Sequence, residues 1–324
     1  PSDLVFDDSV RTCLINQIIF LSHAGFGIVD WTGIEDFTSV KHFDCGNFIG
    51  TLDLSILPQL EEFGMGACCY TGDTLIIKSQ TLKEFHIDEM YINKIIQDSL
   101  PSIEVFYASY GIDIDTLDFR SSPNLEYLVV PGGSGGMHSL KDLKLSNSGS
   151  LKVLEISFQD MDSLDLSDQV NLVYLSCLNS NLSYLNIANG NNTNFTNITT
   201  FPVISSAFAW GAGWPIFFGG STGSMGFRIS DNPNLFCVDV DDPLWSAANW
   251  TNIDPQSSFD TDCSPECTTP SNFNASDINE SSANLNWINN SISDLYNIEY
   301  GLIGFTIGSG TQITGTGNTA NSII

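Results

Sequence analysis

One spacing constrains this chain more than any other feature. An apolar residue, two variable positions, an apolar residue, one variable position and another apolar residue make the pattern L-x-x-L-x-L. It recurs at Val40/Phe43/Cys45, Leu60/Phe63/Met65, Leu82/Phe85/Ile87, Ile103/Phe106/Ala108, Leu125/Leu128/Val130, Leu151/Leu154/Ile156, Leu172/Leu175/Cys177 and Leu235/Val238/Val240. First positions are 20, 22, 21, 22, 26, 21 and 63 residues apart, the last step being read as three periods of 21. A second ladder runs half a repeat out of step, at Leu52/Leu54, Leu75/Ile77, Ile95, Leu117/Phe119, Leu143/Leu145, Leu164/Leu166, Leu185/Ile187 and Phe227/Ile229. Each coil therefore carries two short apolar runs facing one core, joined by turns such as Ser121-Ser122-Pro123-Asn124 and Asp231-Asn232-Pro233-Asn234. No such coil can bury its apolar face alone, so stacking is obligatory.

Composition excludes more than it identifies. The 324 residues include 38 Asp and Glu against 10 Lys and Arg, a formal charge of -28, so the surface repels nucleic acid and anionic lipid. Hydrophobic residues at 42% suffice for a continuous core. The longest apolar-looking stretch, Cys13 to Val29, is broken by Asn16, Gln17, Ser22 and His23, so no membrane span is expected in this chain. No basic segment followed by an apolar run opens the chain at Pro1, so any signal peptide is expected to have been removed. Leu4, Phe6, Val10, Leu14, Ile15, Ile18 and Ile19 recur at near-helical spacing, which predicts a short helix over Asp3 to Leu21 capping the first coil.

The stretch from Thr116 to Leu128 (Thr-Leu-Asp-Phe-Arg-Ser-Ser-Pro-Asn-Leu-Glu-Tyr-Leu) resembles the leucine-rich-repeat surface proteins of Bacteroidetes and the related internalin-like arrays. The resemblance covers roughly Val29 to Asp242. It departs from the family in lacking a firm Asn in the ladder turn and in the segment 189–225, which is either two degenerate coils or a protrusion. In such proteins a disulfide clamps a C-terminal cap; carried over, it joins Cys237 to Cys263 and implies an oxidising compartment. Cys45 and Cys177, on third ladder positions, are expected to be small buried thiols. Cys13, Cys68, Cys69 and Cys267 carry no assignment.

Beyond Pro270 the pattern alternates instead, through Phe273, Ala275, Ala283, Leu285, Trp287, Tyr296, Ile298 and Tyr300. This looks like the opening strands of a fibronectin type III domain, with Trp287 as its core tryptophan. Only 58 residues run from Cys267 to Ile324, against ~90 to 100 for such a sandwich, so a partial domain is expected. The expected fold is mainly β: an N-terminal helical cap over 1–28, a leucine-rich-repeat solenoid with short strands on two faces over 29–242, a C-terminal cap and linker over 243–266, and a partial fibronectin III-like β-sandwich over 267–324.

Motifs for chemistry are weak. Two G-x-S-x-G strings, at Gly132 to Gly136 and Gly219 to Gly223, lack the helix that a nucleophile elbow needs and are expected to be loops. Neither the eight cysteines nor His23, His42, His86 and His138 have metal-ligand spacing, although His42 and His86 fall on variable positions expected to face solvent. Asp239, Asp241 and Asp242 could offer hard oxygens to Ca²⁺, but they lack a D-x-[DN]-x-[DN]-G loop, and a solvated acidic turn is expected in its place. No cofactor and no catalytic residue is expected.

A partner would sit where the variable positions project from the first ladder, aligned coil upon coil. Tyr107, Tyr127, Tyr174 and Tyr184, with Glu62, Glu84, Glu126, Glu155 and Asp239 beside them, form the expected stripe. Exposed tyrosines suit a protein or glycan interface, and stacked tyrosines also stabilise a solenoid sheet. The segment from Phe208 to Phe218, with Trp210 and Trp214, is either a local mini-core or a sticky loop. The expected function is an extracellular or cell-surface binding or adhesion module with a protein or glycan ligand, not an enzyme. Its rivals are the non-catalytic part of a larger secreted hydrolase and a structural surface-layer component.

Overall fold

The computed structural model describes residues 15–23, 31–45, 48, 50–66, 71–88, 91–108, 114–132, 140–196, 226–263, 271–279, 282–288, 295–306, 308–316 and 319–323. The chain divides into two compact units, Pro1–Thr261 and Asp262–Ile324. Unit 1 contains β1 (Phe20–His23), β2 (His42–Cys45), β3 (Thr51–Asp53), β4 (Glu62–Gly66), β5 (Thr71–Ile77), β6 (Glu84–Asp88), β7 (Tyr91–Gln97), β8 (Val105–Ala108) and β9 (Thr116–Asp118). It continues through β10 (Tyr127–Val129), β11 (Asp142–Lys144), β12 (Val153–Glu155), β13 (Ser163–Asp165), β14 (Tyr174–Ser176), β15 (Tyr184–Asn186), β16 (Phe227–Arg228), β17 (Cys237–Asp239) and β18 (Ser258–Asp260).

These strands build a mainly β solenoid of about eight turns. Among the described residues, one wall is a nine-stranded parallel sheet in the order β1-β2-β4-β6-β8-β10-β12-β14-β16. The opposite wall is divided into β3-β5-β7, β9-β11 and β13-β15-β17-β18. Because the pairing is in register, the same repeat position forms a column across the coils. One inward column of the nine-stranded sheet reads Leu21, Phe43, Phe63, Phe85, Phe106, Leu128, Leu154, Leu175 and Phe227. Its phenylalanine rings follow one another at 5.6, 5.6 and 4.7 Å from Phe43 to Phe106, close to the strand spacing itself.

The first strand and the phase of the last coils correct the sequence reading. Phe20–His23 is not the end of a helix but a strand, paired with β2 from Phe20↔His42 onward, so the array begins before Val29. Ladder hydrogen bonds to a neighbouring coil outweigh the local helical spacing there. Most of the expected N-terminal helix lies outside the described residues. The 63-residue step from Leu172 to Leu235 is not three periods of one ladder: Leu175 pairs with Phe227, while Leu185 pairs with Val238 on the other wall. Phe227/Ile229 therefore belong to the first ladder and Leu235/Val238/Val240 to the second. β14 and β16 are direct neighbours in the sheet; of the segment 189–225, residues 197–225 lie outside the described residues.

Turns are tied coil to coil by side chains. On one edge Gln159, Ser180 and Asn232 donate to the carbonyls of Val130, Ile156 and Cys177 in the preceding coil, at 2.7, 3.0 and 2.8 Å. Asn232 is wholly buried and also accepts from the backbone of Ser180 and Leu182, so one amide ties its own turn to the preceding coil. The residue before each of these, Phe158, Asn179 and Asp231, is left-handed, with φ of 61, 48 and 63°. Gly132 occupies the same place one coil earlier, where an added Cβ would lie 1.8 Å from the Phe158 carbonyl oxygen. The first G-x-S-x-G string thus opens with a glycine needed for coil packing; its other residues, and the second string, lie outside the described residues. On the other edge Ser122, Ser150, Asn171 and Asn191 reach back to the carbonyls of Leu100, Pro123, Gly149 and Leu172. Where the second wall breaks between β7 and β9, the Gln97 amide bonds both the N–H and the C=O of Asp118 and takes the place of a strand rung.

The last coil is closed by helix α1 (Pro243–Asn249), which Asp242 caps by accepting from Leu244 and Trp245, with Pro243 preset at its first position. Trp250 follows, 1% exposed, stacked on Phe227 at 4.1 Å and edge-on to Phe195, Phe259 and Trp245. Cys45 and Cys177 are buried thiols, as their ladder positions imply, and burial pushes both up. Cys237 and Cys263 are both disulfide-bonded.

Unit 2 contains β19 (Ser271–Ser276), β20 (Ser282–Ile288), β21 (Leu295–Tyr300), β22 (Thr311–Thr316) and β23 (Thr319–Ile323). Its described strands form two antiparallel sheets, β19-β20-β23 and β21-β22. Trp287 is buried between the Phe273 ring, stacked at 6.3 Å, and Tyr296, edge-on at 4.9 Å.

Replacing Phe85, fully buried between Phe63 and Phe106, by Ala is expected to cost about 3 to 5 kcal/mol of stability in urea unfolding followed by circular dichroism. Peptide mapping without reduction is expected to recover Cys237 and Cys263 in one linked pair, collapsing to two peptides on reduction.

Candidate functional site: the outer face of the nine-stranded sheet

The expected partner face is the outside of the nine-stranded sheet, and register sorts it into columns. One outward column reads Phe20, His42, Glu62, Glu84, Val105, Tyr127, Val153 and Tyr174. The other reads Ser22, Asp44, Gly64, His86, Tyr107, Val129, Glu155, Ser176 and Arg228. Just before the strands runs a flanking column of Lys41, Glu61, Lys83, Glu104, Glu126 and Lys152, linked by successive backbone bonds.

This flanking column explains Glu126. Its carboxylate pairs with Lys152 at 2.7 Å, as Glu61 pairs with Lys41 and Lys83 at 2.6 and 2.8 Å. The two lysine hydrogen bonds hold the Glu61 carboxyl down at about 2, although water screens a group this exposed. Opposite charges at most neighbouring positions of this coil edge, Glu104 beside Glu126 excepted, reduce the like-charge repulsion that stacked identical residues would create.

The two ends of the face differ. Toward the N-terminus it is polar and half-exposed. His42 Nδ1 lies 2.7 Å from Glu62 Oε2, and Glu84 is the next residue in that column. His86, on a position expected to face solvent, is instead largely buried, its ring 4.3 Å from that of Tyr107, and burial lowers its pKa to about 4.

Toward the C-terminus the face is closed. Val105, Tyr107, Val129, Val153 and Tyr174 form a second buried cluster, against which half-buried Tyr127 packs. Tyr107 is 6% exposed and Tyr174 2%, so neither belongs to the expected solvent-facing stripe. The reason is composition: outward Val105, Val129 and Val153 flank the tyrosines and make this stretch of the outer face apolar except at Glu155 and Ser176, so burying it removes apolar area from water. Tyr184 is also displaced from the stripe. It lies in β15 on the opposite wall, where burial raises its pKa first and the charges of Asp239 and Asp165 raise it further.

Glu155, expected on the exposed stripe, lies instead inside this closed region. Glu155 is buried; its carboxylate accepts from the Ser157 N–H at 3.1 Å, and the Ser157 and Ser176 hydroxyls lie 2.8 Å apart. Desolvation pushes the Glu155 carboxyl up, and hydrogen bonds from the two serines and the Arg228 charge oppose that shift. Burial, and then the charge of Glu155, push the Tyr174 hydroxyl up to about 12. One signal is visible in the sequence: Arg228 is the single Lys or Arg between residues 153 and 324, and it falls in the outward column of Glu155.

The three carboxylates considered for Ca²⁺ do separate work. Asp239 ends β17, Asp241 accepts from the backbone of Gly190 and Asn192, and Asp242 caps α1. Among the described residues no group of three His, Cys, Asp or Glu side chains is placed to hold a metal. Trp210 and Trp214 lie outside the described residues. No protein-family model matches the chain, and no curated protein is significantly similar to it.

His86 sets a pH dependence. The folded chain keeps it neutral down to about pH 4, whereas the unfolded chain takes up a proton near 6.5. Its contribution to stability is therefore complete above about pH 6.5 and falls with pH through that window, by up to about 3 kcal/mol at pH 4. His86→Gln is expected to flatten this part of the stability profile, measured by urea unfolding at pH 7, 5.5 and 4.5.

Proposed function

We propose that this chain is an extracellular or cell-surface binding and adhesion module of the leucine-rich-repeat type. It recognises a protein or glycan through the N-terminal part of the outer sheet face. The observation that carries this reading is the half-exposed column His42, Glu62, Glu84, bordered by the paired charges of Lys41, Glu61 and Lys83 and continued past Val105 to Tyr127. Parallel register spaces these groups about 4.8 Å apart. That repeat offers a ligand the Glu62 and Glu84 carboxylates and one tyrosine. Unit 2, with Trp287 between Phe273 and Tyr296, serves as a fibronectin III-like spacer.

The division into two compact units also suits a second reading, in which the chain is a spacer within a larger secreted hydrolase. A glycan and protein array separates the two. Residues 1–324 are expected to bind saturably, and a variant carrying Glu62→Gln, Glu84→Gln and Tyr127→Ser, shown folded by circular dichroism, is expected to lose about tenfold or more in affinity. Binding by neither protein removes the recognition reading and leaves the spacer.

A further inference from the structure

The loop joining β21 to β22 presents two almost fully exposed aliphatic side chains. Leu302 is 89% exposed and Ile303 105%. Exposed aliphatics on an unordered loop would mean little, but this loop is built. Phe305 N–H donates to the Leu302 carbonyl at 2.9 Å around Gly304, whose φ of +85° suits the third position of a type II turn and leaves Ile303 at its outer corner. A second turn follows, with Ser309 N–H on the Thr306 carbonyl at 3.0 Å and Gly308 at φ +92°. The Glu299 carboxylate then accepts from the N–H groups of both Gly308 and Gly310, tying the loop to the end of β21. The Phe305 ring lies against Gly301 and Gly310, where a Cβ would come within 2.9 and 2.8 Å of it. Glycine at those two positions lets the ring close the base of the loop while Leu302 and Ile303 stay outside.

Charge narrows the partner. From Tyr300 to Ile324 there is no Lys, Arg, Asp or Glu, in a chain whose formal charge is -28. An anionic bilayer repels such a chain, and the uncharged hairpin offers no cation to offset that repulsion. A neutral, zwitterionic surface carries no such penalty, and aliphatic side chains on a preordered tip enter its interface without a further ordering cost. We propose that Leu302 and Ile303 form a shallow insertion tip for a neutral lipid surface, independent of the outer face of the repeat array.

The test is co-sedimentation of residues 1–324 with pure phosphatidylcholine vesicles, and with vesicles in which part of the lipid is phosphatidylserine. Wild-type protein is expected to partition onto the neutral vesicles, and less onto the anionic ones. Changing both Leu302→Asp and Ile303→Asp is expected to reduce partition by about tenfold or more, because two buried aliphatic side chains are replaced by charges. Circular dichroism and the summed emission of the six tryptophans check that the variant stays folded. Ile303→Trp supplies an independent reading: the difference emission between this variant and the wild-type protein is expected to shift to the blue on neutral vesicles. Absence of wild-type partition, equal partition by the double variant, unshifted difference emission from the Ile303→Trp protein, or binding that requires phosphatidylserine would each overturn the proposal. The first of these would leave an apolar pocket on a protein as the alternative partner.

Discussion

Every coil of unit 1 hydrogen-bonds to the coil before it, in parallel and in register, and each residue choice is then repeated laterally at strand spacing. Columns rather than individual side chains become the unit of stability. A column of phenylalanines on the inside packs ring upon ring from Phe43 to Phe106 and excludes water along the axis. A column of like charges would repel itself, which is why the strand-flanking column alternates Lys41, Glu61 and Lys83 and pairs Glu126 with Lys152. Turn polar groups meet the same condition, since a buried amide such as Asn232 must find partners in adjacent coils.

The outer face shows how column chemistry changes along one sheet. Near β2 to β6 the outward positions include half-exposed His42, Glu62 and Glu84, beside buried Asp44. From β8 to β14 they are Val105, Val129 and Val153 with Tyr107 and Tyr174, which leave water. Glu155 is enclosed by that second group, and its carboxylate is accommodated by hydrogen bonds from Ser157 and Ser176 with Arg228 nearby. A single sheet thus carries a polar surface at one end and a two-sided core at the other.

Much of the fold can be read directly from the chain. The inward residues, the two walls, the buried Cys45 and Cys177 and the turn positions all follow from a 21-residue period, because solvent exclusion enforces that period at every coil. Three things do not follow. The helical spacing of Ile15, Ile18 and Ile19 runs into strand β1, where pairing with β2 overrides local preference. Phe227 and Val238 fall on the wrong walls in a reading by period because both ladders share one period and one residue class, so the stretch after β15 shifts the phase without leaving a mark in the pattern. Tyr107 and Tyr174 look exposed in the sequence because alternation separates inside from outside only for a sheet with one wet face.

The sequence by itself determined that this chain stacks coils, which residues line the interior and that its surface is acidic. These properties come from composition and period, and both are local. Which ladder the last strands join, which half of the outer face is closed, and how Glu155 meets Arg228 were decided only by the tertiary structure. Each depends on which coil lies next to which across tens of residues, and hydrogen-bond register and burial fix that only when the whole stack is formed.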